Sequence, residues 1–300
     1  MGKMKDVLTT GATWQKRKWT LRLKKTSGQF NASEILAYAA AIVTLLIIGC
    51  AIFPQWIAPY SPTVMLTDQI LSAPSKAHLF GTDYFGRDVF SVVVYGSRDS
   101  LFIGFASVLA GGLIGGSIGA VAGYIGGVVD TIFMRIIDVL MTIPGILLAL
   151  AIAAALGPHL FNLIFAVAAA SIPQYARVLR GQILSIKNRS FITASRSIGA
   201  SNVRIFFRHV LTNAWSPLLV MSTIGLGSSI LVGAGLSFLG LGVLKEIPDW
   251  GTLLSQGRGY LTVAWWICTF PGLTITLFVL AVNLIGDRLR DALDPKQRKG

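Results

Sequence analysis

Titratable side chains are sparse in this 300-residue chain, and the few clusters of them are where chemistry could reside. The densest is His78-Leu79-Phe80-Gly81-Thr82-Asp83-Tyr84-Phe85-Gly86-Arg87-Asp88. Two carboxylates, a guanidinium and an imidazole at this spacing can pair charges. Gly81 and Gly86 suit a tight polar turn, and Asp88 is placed to cap a following helix. A second polar turn contains Pro248-Asp249-Trp250-Gly251. Asp130, Arg135 and Asp138 form a third cluster, in which Arg135 and Asp138 are spaced to meet on one helix face as an interfacial ion pair. The fourth cluster, Phe191 to Pro217, is purely cationic: it holds Arg196, Arg204, Arg208 and His209 and no acid.

None of these patterns is the machinery of a bond-making reaction. There is no Gly-x-x-x-x-Gly-Lys-Ser/Thr phosphate loop, so ATP is not hydrolysed here by that route. His78, His159 and His209 lie far apart, and no metal site or Ser–His–Asp constellation is expected. Cys50 and Cys268 lie inside apolar runs, where a thiol is usually a small hydrophobe. The sequence therefore reads as a protein without catalysis or a cofactor of its own, and the energy for any work it does comes from another chain.

The elements around these clusters are membrane spans. The chain is 53% hydrophobic and 13% charged, with mean hydropathy +0.67, where a soluble domain carries about 25% charged residues. The charges collect between long uncharged runs, which must be helical because hydrocarbon offers the backbone no hydrogen-bond partners. Residues 1–34 form a basic tail with Trp14 and Trp19. Such a tail fixes topology and could also lie on anionic membrane lipid. The first span is 35–58, followed by an extracytoplasmic segment, 59–98. A five-helix core, 99–287, contains the cytoplasmic loop 181–213, and 288–300 is a second basic tail. The fold class is all-α, a polytopic membrane protein with six transmembrane helices. Gly111, Gly115, Gly119, Gly123 and Gly127 recur every four residues in the second span, a row that lets helix backbones approach closely. Pro144 is expected to kink the third span. With both termini on one side, that side carries 21 of the 26 Lys and Arg, which makes it cytoplasmic. The same placement of charge, at the ends of apolar runs, argues against nucleic acid as a partner.

The cationic loop is thus cytoplasmic. Phe191 to Ile198 can form a short helix, Gly199 permits a sharp turn, and Asn202 to Leu211 can form a second helix. Ile205, Phe206, His209 and Val210 would then share one side of it. That stripe needs a cover, either the ends of the spans or a groove in a partner protein. The residues alone leave these two open.

Thr193-Ala194-Ser195, three residues, Gly199, nine residues, then His209-Val210-Leu211-Thr212 resembles the cytoplasmic loop motif of ABC importer permeases, which reads Glu-Ala-Ala, three residues, Gly, nine residues, Ile-x-Leu-Pro. Ala194, Gly199 and Leu211 keep the pattern, and Thr193, Ser195, His209 and Thr212 depart from it. Other segments are similar to peptide-type permeases: the run from Phe80 to Ser91, Met134-Arg135-x-x-Asp138, Leu236 to Gly242, Pro248 to Gly251, and Gly286 to Pro295. The resemblance covers roughly residues 35–297. It is closest to the second permease of dipeptide, oligopeptide, glutathione or nickel import systems.

This resemblance implies a type I ABC importer permease fold in a bacterial inner membrane, with both termini cytoplasmic. The implied partners are a second, homologous permease subunit, two cytoplasmic ABC ATPase subunits that bind the ATP and Mg, and an extracytoplasmic solute-binding protein. It implies Thr193, Ala194, Ser195, Gly199, Ala200, Ile205, Phe206 and His209 as the ATPase-coupling residues. Gly81, Asp83, Gly86, Arg87, Asp88, Asp249 and Trp250 would shape the outer gate or receive the binding protein. The rival reading is an ATPase-independent secondary transporter or channel, which would give Asp138 a functional role.

Overall fold

A computed structural model describes residues 32–293, so the reading of the N-terminal tail and of Lys296, Arg298 and Lys299 falls outside the described residues. The described chain is helical, and its one β-bridge joins Thr82 to Asp88. In order, the helices are α1 (Ala32–Ile52), α2 (Pro54–Ile57), α3 (Val89–Ile125), α4 (Gly127–Met141), α5 (Gly145–Leu156), α6 (Leu160–Lys187), α7 (Ser190–Ser197), α8 (Asn202–Ile205), α9 (Thr212–Leu236), α10 (Trp250–Gly257) and α11 (Trp266–Leu293). Five helical segments are long and apolar enough to cross a membrane, and the bent pair α4–α5 makes a sixth if it is one span.

The central packing is α3 against α6, and the glycine row explains it. A Cβ at Gly115 would stand 2.5 Å from the Ile172 carbonyl oxygen, and at Gly123 3.0 Å from that of Arg180. Gly111 is pressed against Ser171 in the same way. Side chains at these positions would force the helices apart, so glycine here serves close backbone approach. The neighbouring pair Gly112 and Gly116 faces Tyr175, Leu179 and Leu218 at ordinary contact distance. Gly127 lies beyond the row, at the turn into α4. α9 packs on α3, α6 and α11, and α1 packs outside α3 and α11 with most of its large apolar side chains exposed.

Pro144 does not kink one helix. The chain stops at Met141 and restarts at Gly145 with a bend of 89°. A residue before proline is driven out of the helical region, and Pro144 itself is extended (φ −53°, ψ 128°). The 12 residues of α5 span only about 18 Å, short of the roughly 30 Å hydrocarbon thickness. Arg135 and Asp138 are likewise not paired with each other. Asp138 pairs with Arg177 on α6, and Asp130 forms a two-pronged bond with Arg180 at 2.5 and 2.6 Å. The acids of α4 reach for α6 because it supplies two arginines three residues apart, next to the α4 seam.

Candidate functional site

The His78–Asp88 cluster is a closed structure. α3 starts at Val89, eleven residues before Ser100, because Asp88 caps it: its carboxylate accepts from the Ser91 N–H at 2.8 Å and the Ser91 hydroxyl at 2.7 Å. Its other oxygen lies 2.9 Å from His78 Nδ1, while His78 Nε2 lies 2.6 Å from Gln69 Oε1. Asp83 accepts from the backbone N–H groups of Phe85 and Arg87, and its second oxygen meets Arg87 Nε and Nη2, both at 2.7 Å. Arg87 then reaches the Glu246 carbonyl at 3.2 Å and so ties the turn to the loop between α9 and α11. At Gly86 (φ +76°) a Cβ would stand 2.0 Å from the Leu66 carbonyl oxygen, so both the backbone angle and the space demand glycine.

The loop between α9 and α11 contains α10, which packs on α3, α9 and α11. Asp249 caps it by accepting from the Thr252 N–H at 2.9 Å, and also accepts from the Thr252 and Ser237 hydroxyls. Burial pushes the Asp249 carboxyl above its ordinary pKa, an effect these hydrogen bonds partly offset. Trp250 fills the space between α3 and α11. Its Nε1–H donates to the Val93 carbonyl at 2.9 Å, and its backbone N–H donates to the Ser100 hydroxyl. Gly81, Asp83, Gly86, Arg87, Asp88, Asp249 and Trp250 are all buried. They hold these two loops on the bundle, and the side chain that the Gly81–Asp88 turn exposes is Phe85.

The cluster from Phe191 to Pro217 is built differently. α7 ends at Ser197, Gly199 takes φ +84°, and the Ser201 hydroxyl caps α8. α8 is not a free-standing helix. It passes through a π-helical turn, Phe206–Leu211, directly into α9, giving one helical stretch from Asn202 to Leu236. No breaker precedes Thr212. Pro217 removes one donor inside α9, and Asn213 and Thr212 bond back to the His209 and Phe207 carbonyls.

The apolar stripe of this segment is covered from within. Ile205 and Val210 pack with Ile192, Leu179, Ile183 and Ile186, under Ala120 of α3. Phe206 and His209 are half-buried. Thr193, Ala194 and Gly199 are exposed, and Ser195 and Ala200 are partly so. What stands outward is a second apolar set: Ile198 is 86% exposed, Val203 68% and Phe207 61%. Exposed Arg196, Arg204 and Arg208 surround it. This set is not the stripe that helical spacing singles out. Its signal is the run of large apolar residues left over once the inward face is assigned. Behind it Tyr124, in the last turn of α3, bonds to α8, a contact across 78 residues that local patterns do not carry. Among the described residues no group of three or more His, Cys, Asp or Glu could hold a metal ion.

Comparison with known proteins agrees with this architecture. Residues 115–299 match the family model described as the inner membrane component of binding-protein-dependent transport systems. The chain is 44% identical over 266 residues to the di/tripeptide transport system permease protein DppC of Pseudomonas aeruginosa, covering 87% of this chain and 88% of that one. It is 47% identical over 262 residues to the glutathione transport system permease protein GsiD of Escherichia coli, covering 87% and 86%. A chain of the MetNI methionine ABC transporter, solved in inward-facing conformations, shares the fold with a TM-score of 0.57 at 21% identity, over 68% of this chain and 97% of that one.

Proposed function

The chain belongs to the family of inner membrane components of binding-protein-dependent transport systems, and from that premise we propose that it forms half of the translocation pore of an ATP-driven importer for peptides or a related small solute. A second, related permease supplies the other half. Two cytoplasmic ATPases bind the ATP and Mg, and this chain performs no catalysis. An extracytoplasmic solute-binding protein delivers the solute to the outer face, whose shape the buried turns around Arg87 and Asp249 maintain. Both termini lie in the cytoplasm, as the excess of Lys and Arg on that side favours. The names of the two relatives, one for di/tripeptides and one for glutathione, favour a solute of that size.

The observation that carries the coupling role is the exposed apolar knuckle, Ile198, Val203 and Phe207, on a helix–turn–helix that leads unbroken into a span. Large apolar side chains at this exposure in an aqueous loop favour a partner groove. The arginines around them favour an acidic rim on that groove. Around this knuckle Thr193, Ala194, Ser195, Gly199 and Ala200 allow close approach. Ile205, Phe206 and His209 carry the motion inward, toward the core. ATP-driven closure of the ATPases displaces the segment and biases the pore between two states.

The test is co-purification. Ile198→Asp with Phe207→Asp should release the ATPase while the two permeases remain paired, and should abolish transport in membrane vesicles. Retention of the ATPase with transport intact would overturn the assignment.

A further inference from the structure

Besides its apolar contacts, the docking segment is tied to the spans behind it by one directional side-chain contact. The Tyr124 hydroxyl donates to the Asn202 carbonyl at 2.7 Å, and its ring meets that of Phe206 at 4.8 Å between centroids. Asn202 opens α8 and Phe206 opens the π turn, so Tyr124 grips the segment at both ends of its first turn. Tyr124 is itself held. α3 turns away at Gly126 (φ +77°), which leaves the Tyr124 carbonyl in the last, unpaired turn of the helix. Lys187, the last residue of α6, donates Nζ to that carbonyl at 2.5 Å and lies over the ring at 5.7 Å. Three turns of chain thus meet at one residue: the end of α3, the end of α6 and the start of the docking segment.

We propose that Tyr124 is a positioning residue for energy coupling, one that locks the docking segment to α3 and α6 so that they move as a single body. The proposal rests on the ATPase-docking reading above. The apolar contacts of Ile205 and Val210 hold the segment down but are non-directional, so they permit sliding. A hydroxyl–carbonyl bond is directional and fixes where the segment sits along α3. Without it, force applied at Ile198 and Phe207 would shift the segment over its own core before it moved the spans.

The test uses the complete assembly of both permeases and the ATPases, with Cys50 and Cys268 of this chain replaced by Ala. Spin labels are placed at Val121→Cys, exposed on α3, and Ser197→Cys, exposed at the end of α7 in the same helix–turn–helix. The distance between them is read by pulsed electron resonance, first nucleotide-free and then with ATP and vanadate. With Tyr124 present, the distribution is narrow and the same in both states. Tyr124→Phe, which removes one oxygen, gives a broader distribution that shifts on trapping, with the ATPase still bound. Tyr124→Leu, which also removes the ring contact, shifts it further. A distance that changes on trapping with Tyr124 in place overturns the proposal, as does a Tyr124→Phe distribution identical to that of the parent. Failure of the docking reading looks different, because the ATPase would then stay bound and transport would continue in the Ile198→Asp, Phe207→Asp variant.

Discussion

Gly119 of α3 faces Ala176 of α6 so closely that a Cβ on Gly119 would stand 2.1 Å from the Ala176 carbonyl oxygen. That oxygen is backbone inside a helix and cannot rotate away. Gly112, seven residues earlier, has its nearest neighbours at 3.7 Å or more, at the edge of the Tyr175 ring and the Ser222 hydroxyl. Gly119→Ala should therefore destabilise the bundle by about 1–3 kcal/mol, the usual cost of overpacking. Gly112→Ala should be neutral or gain up to about 1 kcal/mol from helix propensity. Thermal unfolding in detergent of the two variants, with matched circular dichroism, would separate them. Equal melting temperatures would mean that α3 and α6 are not in backbone contact at Gly119.

The buried pair Asp83–Arg87 yields a prediction with its own internal control. The two side chains are 0% and 3% exposed. Arg87→Met strands the carboxylate in the protein interior and should cost about 3–5 kcal/mol. In the double variant Asp83→Asn, Arg87→Met, the Asn oxygen can still accept from the N–H groups of residues 85 and 87, and no charge is stranded. The double variant should therefore be more stable than Arg87→Met alone. A double-mutant cycle from detergent unfolding checks this, and additive losses would rule out a desolvated pair.

How far these features were legible depends on the range of the interaction. The glycine row announced close helix contact because its four-residue spacing is a local pattern, and Asp88 announced a cap by the same local logic. Asp249 carries the same signal, with Thr252 three residues on, yet the eight residues of α10 are too few for periodicity to mark a helix beside the Pro248–Gly251 turn. Local spacing pairs Asp138 with Arg135 because they share a helix. Its real partner is 39 residues away, and long-range charge choice follows helix placement. The stripe of Ile205 and Val210 was visible, but what covers it was not, since Leu179 and Ile183 become its cover only once α6 is placed. Pro144 marks an irregularity, while a bend as large as 89° is a tertiary feature that no local pattern carries.

Asp249 gives stability a pH dependence. Its folded carboxyl binds a proton more tightly than the unfolded one, because burial penalises the charged form. Above the ordinary carboxylate value of about 3.9, and up to the raised folded value, the folded state holds more protons than the unfolded state. Stability from this group therefore falls as pH rises through that window. Asp249→Asn cannot ionise and keeps an acceptor for the Thr252 N–H, so its stability relative to the parent should improve as pH rises. Asp249→Ala loses the α10 cap at every pH, at about 1 kcal/mol or more. Melting temperatures of the three proteins across that pH range provide the check. A parent-minus-Asn difference that is flat with pH would show that Asp249 does not carry this proton.

The two ion pairs between α4 and α6 should differ in strength although their chemistry is the same. Asp130 and Arg180 have side chains 17% and 32% exposed and meet through two hydrogen bonds. Asp138 and Arg177 are each 51% exposed and meet through one. A two-pronged guanidinium–carboxylate contact with restricted access to water keeps more of its Coulomb attraction. The open pair is screened by salt and must hold two long side chains in one geometry. Double-mutant cycles with alanine should give a coupling of about 1 kcal/mol for Asp130–Arg180 and near zero for Asp138–Arg177. Arg180→Lys should lose most of the first coupling, because an ammonium cannot reproduce the fork. Raising the salt concentration should weaken the second pair proportionally more than the first. If Asp138–Arg177 gave the larger coupling, α4 would be anchored at its broken end, and the Thr142–Pro144 bend would be a loaded joint instead of a simple change of direction.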